Sequence, residues 1–292
     1  MRFTHIDCHT HVNFSAYDED RDEVVQRALD AGVAMINVGT QKDTSLKAIE
    51  MAERYETGVY AIIGIHPIHT DKSHHDEQEL GEGNKEFTSR GEVFDHATYR
   101  SLAKHPKVVG IGECGLDFYR MEHESWNMEH SAVRKQEEVF RQHIELAIEV
   151  NKPLMLHVRS GGGRSAYLDA LSILKSYNLN LESPLRGNFH FFAGSWDEAK
   201  EILDAGFFLS FTGVLTFAQN YEEVVRNTPL ERILTETDAP YVSPVPFRGK
   251  RNEPMHVREV VKAIARIKKQ DEEEVRIQVL KNAEHFFNIT LP

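Results

Sequence analysis

Cysteine and tryptophan are scarce in this chain of 292 residues, which contains two of each. Cys8 and Cys114 each lie within an apolar run, so we expect two reduced, buried thiols rather than a disulfide. No apolar run approaches the roughly 20 residues that a membrane-spanning helix needs. The opening segment MRFTHIDCHTHV lacks the apolar core of a secretory signal, so a cytoplasmic location is expected.

Positive charge is also in deficit. The 34 lysines and arginines are outnumbered by 46 aspartates and glutamates, which leaves a formal net charge of -12. This balance argues against the broad electropositive surface with which proteins bind duplex nucleic acid. A nucleic-acid end stays compatible with it, because a cationic metal site and a few arginines can hold one or two phosphates. Composition therefore favours a small substrate or a chain end.

A glycine-rich phosphate turn is missing after the first apolar run, which argues against a doubly wound nucleotide-binding sheet. Eight short apolar runs are present instead. Most of them lack polar alternation, as expected for parallel strands that are buried on both faces. The runs are Thr4–Val12, Ala34–Thr40, Val59–His66, Val108–Gly115, Pro153–Val158, Gly187–Phe192, Phe207–Thr212 and Ile233–Thr237.

Helical patterns separate these runs. Ser195 and Glu198, for example, have the spacing of a capping box, and Gly206 follows the apolar stripe of the same segment. Strands that alternate with helices eight times predict an α/β fold, a (β/α)8 TIM-type barrel, as a single domain over residues 1–292. The segment Thr70–Gly91 is rich in Asp, Glu, His and Gly, and we interpret it as a solvated acidic insertion between the third and fourth strands.

Potential metal ligands lie in the late part of five of these runs or directly after them. They are His9, His11, Glu113, His157, His190 and Asp238. Side chains alternate along a strand, so the His9-x-His11 spacing puts both imidazoles on the same face. A single histidine in a strand is usually a hydrogen-bonded core residue, but burying this many ionisable groups without a metal would be costly.

Imidazole and carboxylate ligands suit zinc, manganese, nickel or iron. Barrel active sites lie at the carboxyl ends of the strands, where these residues are predicted to meet. Glu113 is predicted to bridge two ions, because one carboxylate can span the ~3.5–4 Å that separates the ions of a two-metal site. The sequence therefore predicts a metallohydrolase centre.

The chain contains, in this order, the motifs HIDCHTHV, GIHP, GIGECGLDFYR, LHVR, FHFFAG, FTGVLTF and ETDAPYVSPVPFRGKRNEP. It thereby resembles the TatD-type metal-dependent hydrolases, amidohydrolase-superfamily barrels that are often described as deoxyribonucleases. The resemblance implies that the six residues above bind two divalent ions, with zinc, manganese, magnesium and nickel as candidates. It also implies that Glu113 and Asp238 are catalytic, with Asp238 accepting the proton of the attacking water. The implied reaction is cleavage of phosphodiester bonds at the 3′ ends of DNA, and the preferred substrate would be a single strand.

The segment FHFFAG departs from the pattern of the family. Phe191 and Ala193 stand where the family usually has Cys and Ser, and the segment Ser160–Arg164 after LHVR differs as well. These positions shape the mouth of the predicted site, so they leave the substrate preference open.

Two residues outside the ligand set are predicted to contact the substrate. His66, in the motif GIHP, is interpreted as a substrate or phosphate contact, and the alternative is a structural hydrogen bond beside Pro67. Arg248 follows the eighth run and would present two N–H groups to a phosphate. The alternative is an ion pair with Glu253 or Asp117.

Two rival functions stay open at this point. One is an esterase or amidase of the same superfamily acting on a small substrate; the fourth run has Glu113 and no lysine for carbamylation, which favours the nuclease. The other is a non-catalytic metal-binding scaffold, which the intact ligand set disfavours. We expect no membrane association and no obligate protein partner. The expected binding partner is DNA, bound at its single-stranded ends.

Overall fold

The computed structural model describes residues 3–72, 74–75, 87–119, 126–178 and 184–292. Eight strands form one parallel sheet and follow one another in chain order. Each begins within one residue of the start of a predicted run. They are β1 (His5–Thr10), β2 (Val33–Val38), β3 (Val59–Ile63), β4 (Val108–Asp117), β5 (Leu154–Arg159), β6 (Gly187–Phe189), β7 (Phe208–Phe211) and β8 (Ile233–Thr235).

The segment after β8 links the last strand to the first. The backbone N–H of Asp238 donates to the carbonyl of His9 at 2.9 Å, and the N–H of His11 donates to the carbonyl of Ala239 at 2.7 Å. The sheet is therefore joined at its carboxyl end, where an open sheet would leave two unpaired edges. The predicted (β/α)8 TIM-type barrel is confirmed.

Helices connect the strands and cover the outside of the barrel. They are α1 (Arg21–Asp30), α2 (Lys42–Glu53), α3 (His96–Ala103), α4 (Trp126–Val150), α5 (Ala166–Asn178), α6 (Trp196–Asp204), α7 (Glu222–Asn227), α8 (Val257–Lys268) and α9 (Glu272–Phe287). In α8 the buried side chains include Val257, Val260, Val261 and Ile264, which recur every three to four residues and face the strands. None of the described helices is long and apolar enough to cross a membrane.

The sequence patterns that predicted these elements have clear structural causes. β2 and β4 are buried along their whole length, because helices cover one face and the barrel interior covers the other. Before α6, the N–H of Ser195 donates to the Glu198 carboxylate at 2.7 Å and the N–H of Glu198 donates to the Ser195 hydroxyl at 3.3 Å. The predicted capping box is therefore present, and Gly206, with φ of 90°, follows the helix end.

The predicted acidic insertion, Thr70–Gly91, lies largely outside the described residues. Its described parts include a short antiparallel ribbon that pairs His74–His75 with Phe87–Thr88. Beyond the ribbon, the N–H of Glu92 donates to the carbonyl of His69 at 2.7 Å. The chain thus returns to the 3-10 turn that follows β3, beside the carboxyl end of the barrel.

Candidate metal centre

The six predicted ligands meet at the carboxyl end of the barrel. His9, Glu113 and His157 belong to β1, β4 and β5, whereas the other three lie one to three residues beyond β1, β6 and β8. All six side chains are largely buried, and the most exposed of them, His157, has only 19% of its surface accessible. The barrel therefore brings together residues that are separated by up to 229 positions in the chain. We call these residues the candidate centre: His9, His11, Glu113, His157, His190 and Asp238.

Glu113 lies between two pairs of histidines. Its Oε2 is 3.3 Å from Nε2 of His9 and 3.7 Å from Nε2 of His11. Its Oε1 is 3.0 Å from Nδ1 of His157 and 2.9 Å from Nε2 of His190. Each carboxylate oxygen thus faces its own pair of imidazoles, which is the arrangement that a carboxylate bridging two ions requires.

The spacing within each pair tests whether a metal ion would fit. Nε2 of His9 and Nε2 of His11 are 3.1 Å apart, and Nδ1 of His157 and Nε2 of His190 are 3.2 Å apart. Two nitrogens bound to one ion at ~2.0–2.1 Å with a tetrahedral angle lie about 3.3 Å apart. Both pairs therefore have the separation of nitrogens that share an ion.

Asp238 adds an oxygen to the first pair. Its Oδ1 is 3.4 Å from Nε2 of His11 and 3.7 Å from Nε2 of His9. Its backbone φ of 54° lies in the left-handed region, which Asp tolerates better than most residues. This backbone turn and the hydrogen bond from its N–H to β1 hold the carboxylate over the end of the barrel.

Two of the imidazoles are oriented from the side opposite to the centre. Nε2 of His157 lies 2.9 Å from Oδ2 of Asp117, and Nδ1 of His11 lies 3.0 Å from the carbonyl oxygen of Val38. These acceptors require a proton on the nitrogen that faces them. The other nitrogen of each ring is then left with a lone pair directed at the candidate centre, as metal-ligating histidines need.

Glu236, which is fully buried, orients the imidazole of His190 from the side opposite to the centre. Its Oε1 lies 3.3 Å from Nδ1 of His190 and accepts the backbone N–H of Phe191 at 2.7 Å, while its Oε2 accepts the Ser210 hydroxyl at 2.6 Å. The sequence patterns predicted no role in the centre for Asp117 or Glu236; Asp117 was named only as a possible partner of Arg248. Strand periodicity contained the signal for Asp117, which lies four residues after Glu113 in β4, and for Glu236 the signal was its place in the predicted eighth run, two residues before Asp238.

The charge of the centre follows from its surroundings. Burial alone would raise the pKa of Glu113, but the imidazoles of His9, His190 and His66 outweigh it and hold that pKa well below its ordinary value. Burial lowers the pKa of His157, and the carboxylates of Asp117 and Glu113 more than reverse this effect. A permanent carboxylate charge therefore lies between the two histidine pairs, where divalent cations would neutralise it.

His66 lies beside the candidate centre. Its Nδ1 accepts the N–H of Ile68 at 3.2 Å, so the neutral ring carries its proton on Nε2. Burial, together with the neighbouring imidazole of His157, lowers the pKa of His66 well below its ordinary value and keeps the ring neutral. The Nε2–H lies 3.4 Å from Oε1 of Glu113. The structural hydrogen bond beside Pro67 is thus present, and the substrate contact stays a prediction.

Arg248 lies on the exposed loop after β8, outside the residues that line the central cleft. Its Nη1 donates to the carbonyl of Ser243 at 3.1 Å, and its guanidinium stacks 4.1 Å from the centroid of Phe217. Neither of the two ion pairs considered above is formed within the described parts of the chain; Glu253 pairs with Arg27 at 2.8 Å instead. A phosphate contact by Arg248 stays a prediction.

The candidate centre opens into a cleft of about 970 Å³. Beyond the ligands, its walls come mainly from the end of β5 and the loops after β5 and β6, including Arg159, Ser160, Arg164 and Phe191, and Tyr221 lines it from the segment after β7. Cavities of ~300–1,000 Å³ are those in which proteins bind small molecules and cofactors. The cleft is therefore much larger than the centre alone requires.

Comparison with known proteins identifies the family. The family model described as TatD related DNase matches residues 6–288. The chain belongs to the TatD family. It is 37% identical to the uncharacterized metal-dependent hydrolase YabD of Bacillus subtilis over 286 residues. The matched region is 97% of this chain and 98% of that relative.

Two other TatD-family proteins resemble this chain over most of its length. The 3′-5′ ssDNA/RNA exonuclease TatD of Erwinia tasmaniensis is 31% identical over 281 residues, 94% of this chain and 95% of that protein. The crystal structure of YjjV, a TatD homologue from Escherichia coli K12, has a TM-score of 0.79 at 24% identity and covers 99% of this chain and 100% of its own. The similarity to YjjV confirms the TatD fold.

Membership in the TatD family confirms the resemblance that the motifs indicated. The protein is a metal-dependent hydrolase of this family, and its His, Glu and Asp clusters are able to hold metal. The number and identity of the ions, the roles of individual residues and the substrate stay predictions.

Proposed function

We propose that this TatD-family hydrolase cleaves phosphodiester bonds at the 3′ ends of single-stranded DNA. The observation that carries the proposal is the position of Glu113, whose two oxygens face separate histidine pairs. Two-metal sites of this kind serve in-line displacement at phosphorus. The Erwinia relative that is named a 3′-5′ ssDNA/RNA exonuclease supports a nucleic-acid end as substrate and makes RNA ends the nearest alternative.

The centre would hold two divalent ions with Glu113 between them. His9, His11 and Asp238 would hold one ion, and His157 and His190 the other. When bound, such ions polarise a phosphoryl oxygen and lower the pKa of an attacking water. Zinc, manganese, magnesium and nickel are the candidates, since imidazole and carboxylate ligands accept several metals.

Asp238 is the proton acceptor in this proposal. Both carboxylates line the cleft, but the Asp238 side chain is 14% exposed and that of Glu113 only 4%. The Asp238 carboxylate thus faces both the centre and the space in which substrate and water meet. A carboxylate in this position can take the proton of the attacking water as the bond to phosphorus forms.

His66 and Arg248 would contact the phosphate. The Nε2–H of His66 points towards Glu113 and the cleft, so it can donate to a phosphoryl oxygen as negative charge develops there. Arg248 would approach from the exposed loop after β8, where its guanidinium lies on Phe217. With a net charge of -12, the protein depends on such local contacts to hold a polyanion.

The proposal extends to the whole chain. Residues 1–292 would form one barrel domain that acts in the cytoplasm without an obligate protein partner. Support for a reducing compartment comes from Cys8 and Cys114, which are buried and free.

The test is an ion-dependent degradation assay. Protein stripped with a chelator is reloaded with one divalent ion at a time and incubated with end-labelled linear DNA, RNA of the same sequence, and circular single-stranded DNA. We expect stepwise shortening of linear DNA from its 3′ end and resistance of the circle, with Asp238→Asn as the inactive control for contaminating nucleases. Equal cleavage of circle and linear strand would contradict end specificity, and turnover of esters or amides alone would favour the rival hydrolase.

A further inference from the structure

The cleft continues past the candidate centre along two neighbouring strands. Leu156 of β5 pairs with Phe189, the last residue of β6, so the segments that follow these two residues start side by side at the carboxyl end of the barrel. Among these, Arg159 and Phe191 both line the cleft. Both residues lie on the part of the cleft wall that β5 and β6 support, Arg159 at the last position of β5 and Phe191 two residues beyond β6.

Phe191 occupies its position in an unfavourable backbone conformation. Its φ is 44°, a value that glycine adopts freely and bulky residues rarely do. The buried carboxylate of Glu236 holds this turn by accepting the Phe191 N–H at 2.7 Å. Phe191 is partly buried against the core and also lines the cleft, next in the chain to His190. Strained residues of this kind concentrate at functional sites, which points to a use for the ring.

Arg159 presents a guanidinium that forms no ion pair with any described carboxylate, although its charge helps to lower the pKa of nearby Asp117. It stacks 3.5 Å from the centroid of the Tyr119 ring. Throughout the described ranges, its guanidinium makes neither an ion pair nor a hydrogen bond, whereas Arg164 on the same wall is paired with Asp169 at 2.5 Å. Stacking orients the flat group and leaves its N–H edge available to a phosphate.

We propose that Arg159 and Phe191 form a nucleotide subsite for the residue next to the cleaved bond. Phe191 would stack on the base, and Arg159 would bind the neighbouring backbone phosphate. Aromatic rings and cations are the two elements with which proteins hold single strands without reading their sequence. This subsite rests on the proposed function and deepens it, because it names the residues that would hold the nucleotide beside the cleaved bond.

The base contact is tested with two oligonucleotides that differ only in whether the last two 3′ nucleotides carry bases. We expect the wild type to prefer the complete strand by about 10-fold in kcat/KM, the loss typical of one stacked base. Phe191→Gly, which suits the positive φ, should abolish this preference, and Phe191→Tyr should retain it. Equilibrium binding measured by fluorescence anisotropy in a chelator should show the same pattern without any ion.

The phosphate contact is tested with a neutral methylphosphonate linkage beside the cleaved bond. The wild type should lose about 10-fold in kcat/KM on this strand, as expected for a charge-assisted hydrogen bond. Arg159→Gln should lose activity on the natural strand and show no further loss on the neutral one. Arg164→Gln is the matched control and should discriminate between the strands as the wild type does, because Asp169 already holds that guanidinium.

The outcomes separate the subsite from the function on which it rests. A wild type that degrades both abasic and neutral-linkage strands as fast as the natural strand would overturn the subsite alone. A wild type that hydrolyses no oligonucleotide would overturn both. Melting curves of each variant establish that the compared proteins are folded.

Discussion

Replacing Asp117 by asparagine should weaken the binding of one metal ion through a residue that does not itself contact the metal. Both oxygens of Asp117 are in use, since Oδ2 faces Nε2 of His157 at 2.9 Å and Oδ1 accepts the N–H of Tyr119 at 2.9 Å. Asparagine keeps the size of the side chain but offers only one acceptor oxygen. One of the two N–H groups must therefore meet the amide NH₂ group.

Both orientations of the new amide are unfavourable. If its oxygen faces His157, the NH₂ group opposes the N–H of Tyr119 and leaves a partly buried donor without its acceptor, at about 1 kcal/mol, the low end for a buried donor. If the NH₂ group faces His157, the imidazole must carry its proton on Nδ1. That nitrogen lies 3.0 Å from Oε1 of Glu113 and would then no longer offer a lone pair to an ion. In both orientations His157 also loses the carboxylate charge that makes it more basic, so we expect the affinity for one ion to fall about 10- to 100-fold.

The assay is a competition titration of stripped protein with a chromophoric chelator, which resolves two dissociation constants. The constant for the ion held by His157 and His190 should rise in Asp117→Asn, and the other should change little. Asp169→Asn is the control, because Asp169 pairs with Arg164 on the cleft wall. Two unchanged constants in Asp117→Asn would refute the orienting role of this carboxylate.

Four further predictions follow from the same structure. Glu113→Gln should keep the fold but weaken the binding of at least one ion, because it removes the charge between the two histidine pairs. Unchanged metal content by elemental analysis, together with unchanged turnover, would contradict the bridging role of Glu113. Asp238→Asn should lower turnover far more than the melting temperature, since the site loses a proton acceptor and one charge it had to desolvate. Arg248→Lys should impair cleavage of DNA and spare neutral esters, because lysine lacks the planar pair of donors; parallel loss on both substrates would show that Arg248 only holds its loop. Burial lowers the pKa of His143, which accepts the N–H of Ile65 at 2.9 Å, to about 4. Between about pH 6.5 and 4, the unfolded chain therefore binds a proton that the folded chain does not. The free energy of unfolding should fall by up to about 3 kcal/mol as the pH drops through this window. Denaturation curves of His143→Gln should show a shallower fall.

Much of the barrel could be predicted from local patterns. β2 and β4 read as unbroken apolar runs because both of their faces are buried, and the capping box before α6 depends on residues only three positions apart. The insertion Thr70–Gly91 had no such pattern, and composition alone predicted that it is solvated.

The ligand set was also within reach of the sequence. Each of the six residues lies in an apolar run or directly after one, and the carboxyl ends of parallel strands meet in a barrel whatever their separation in the chain. Strand alternation placed His9 and His11 together without knowledge of any other strand. The same alternation applied to Asp117, and the place of Glu236 in the eighth run, would have identified the two carboxylates that orient His157 and His190.

What the sequence determined, then, is the order of the strands, the residues at their ends and the chemistry that those residues share. Only the tertiary structure decided that Glu113 turns one oxygen to each histidine pair, that His157 presents Nδ1, and that Arg248 lies on Phe217. It also placed Arg159 and Phe191 on one wall of the cleft. The physical reason is that apolar periodicity records only burial, which each strand experiences separately. Distances between side chains on different strands depend on the register and closure of the whole barrel, and these arise from packing among distant parts of the chain.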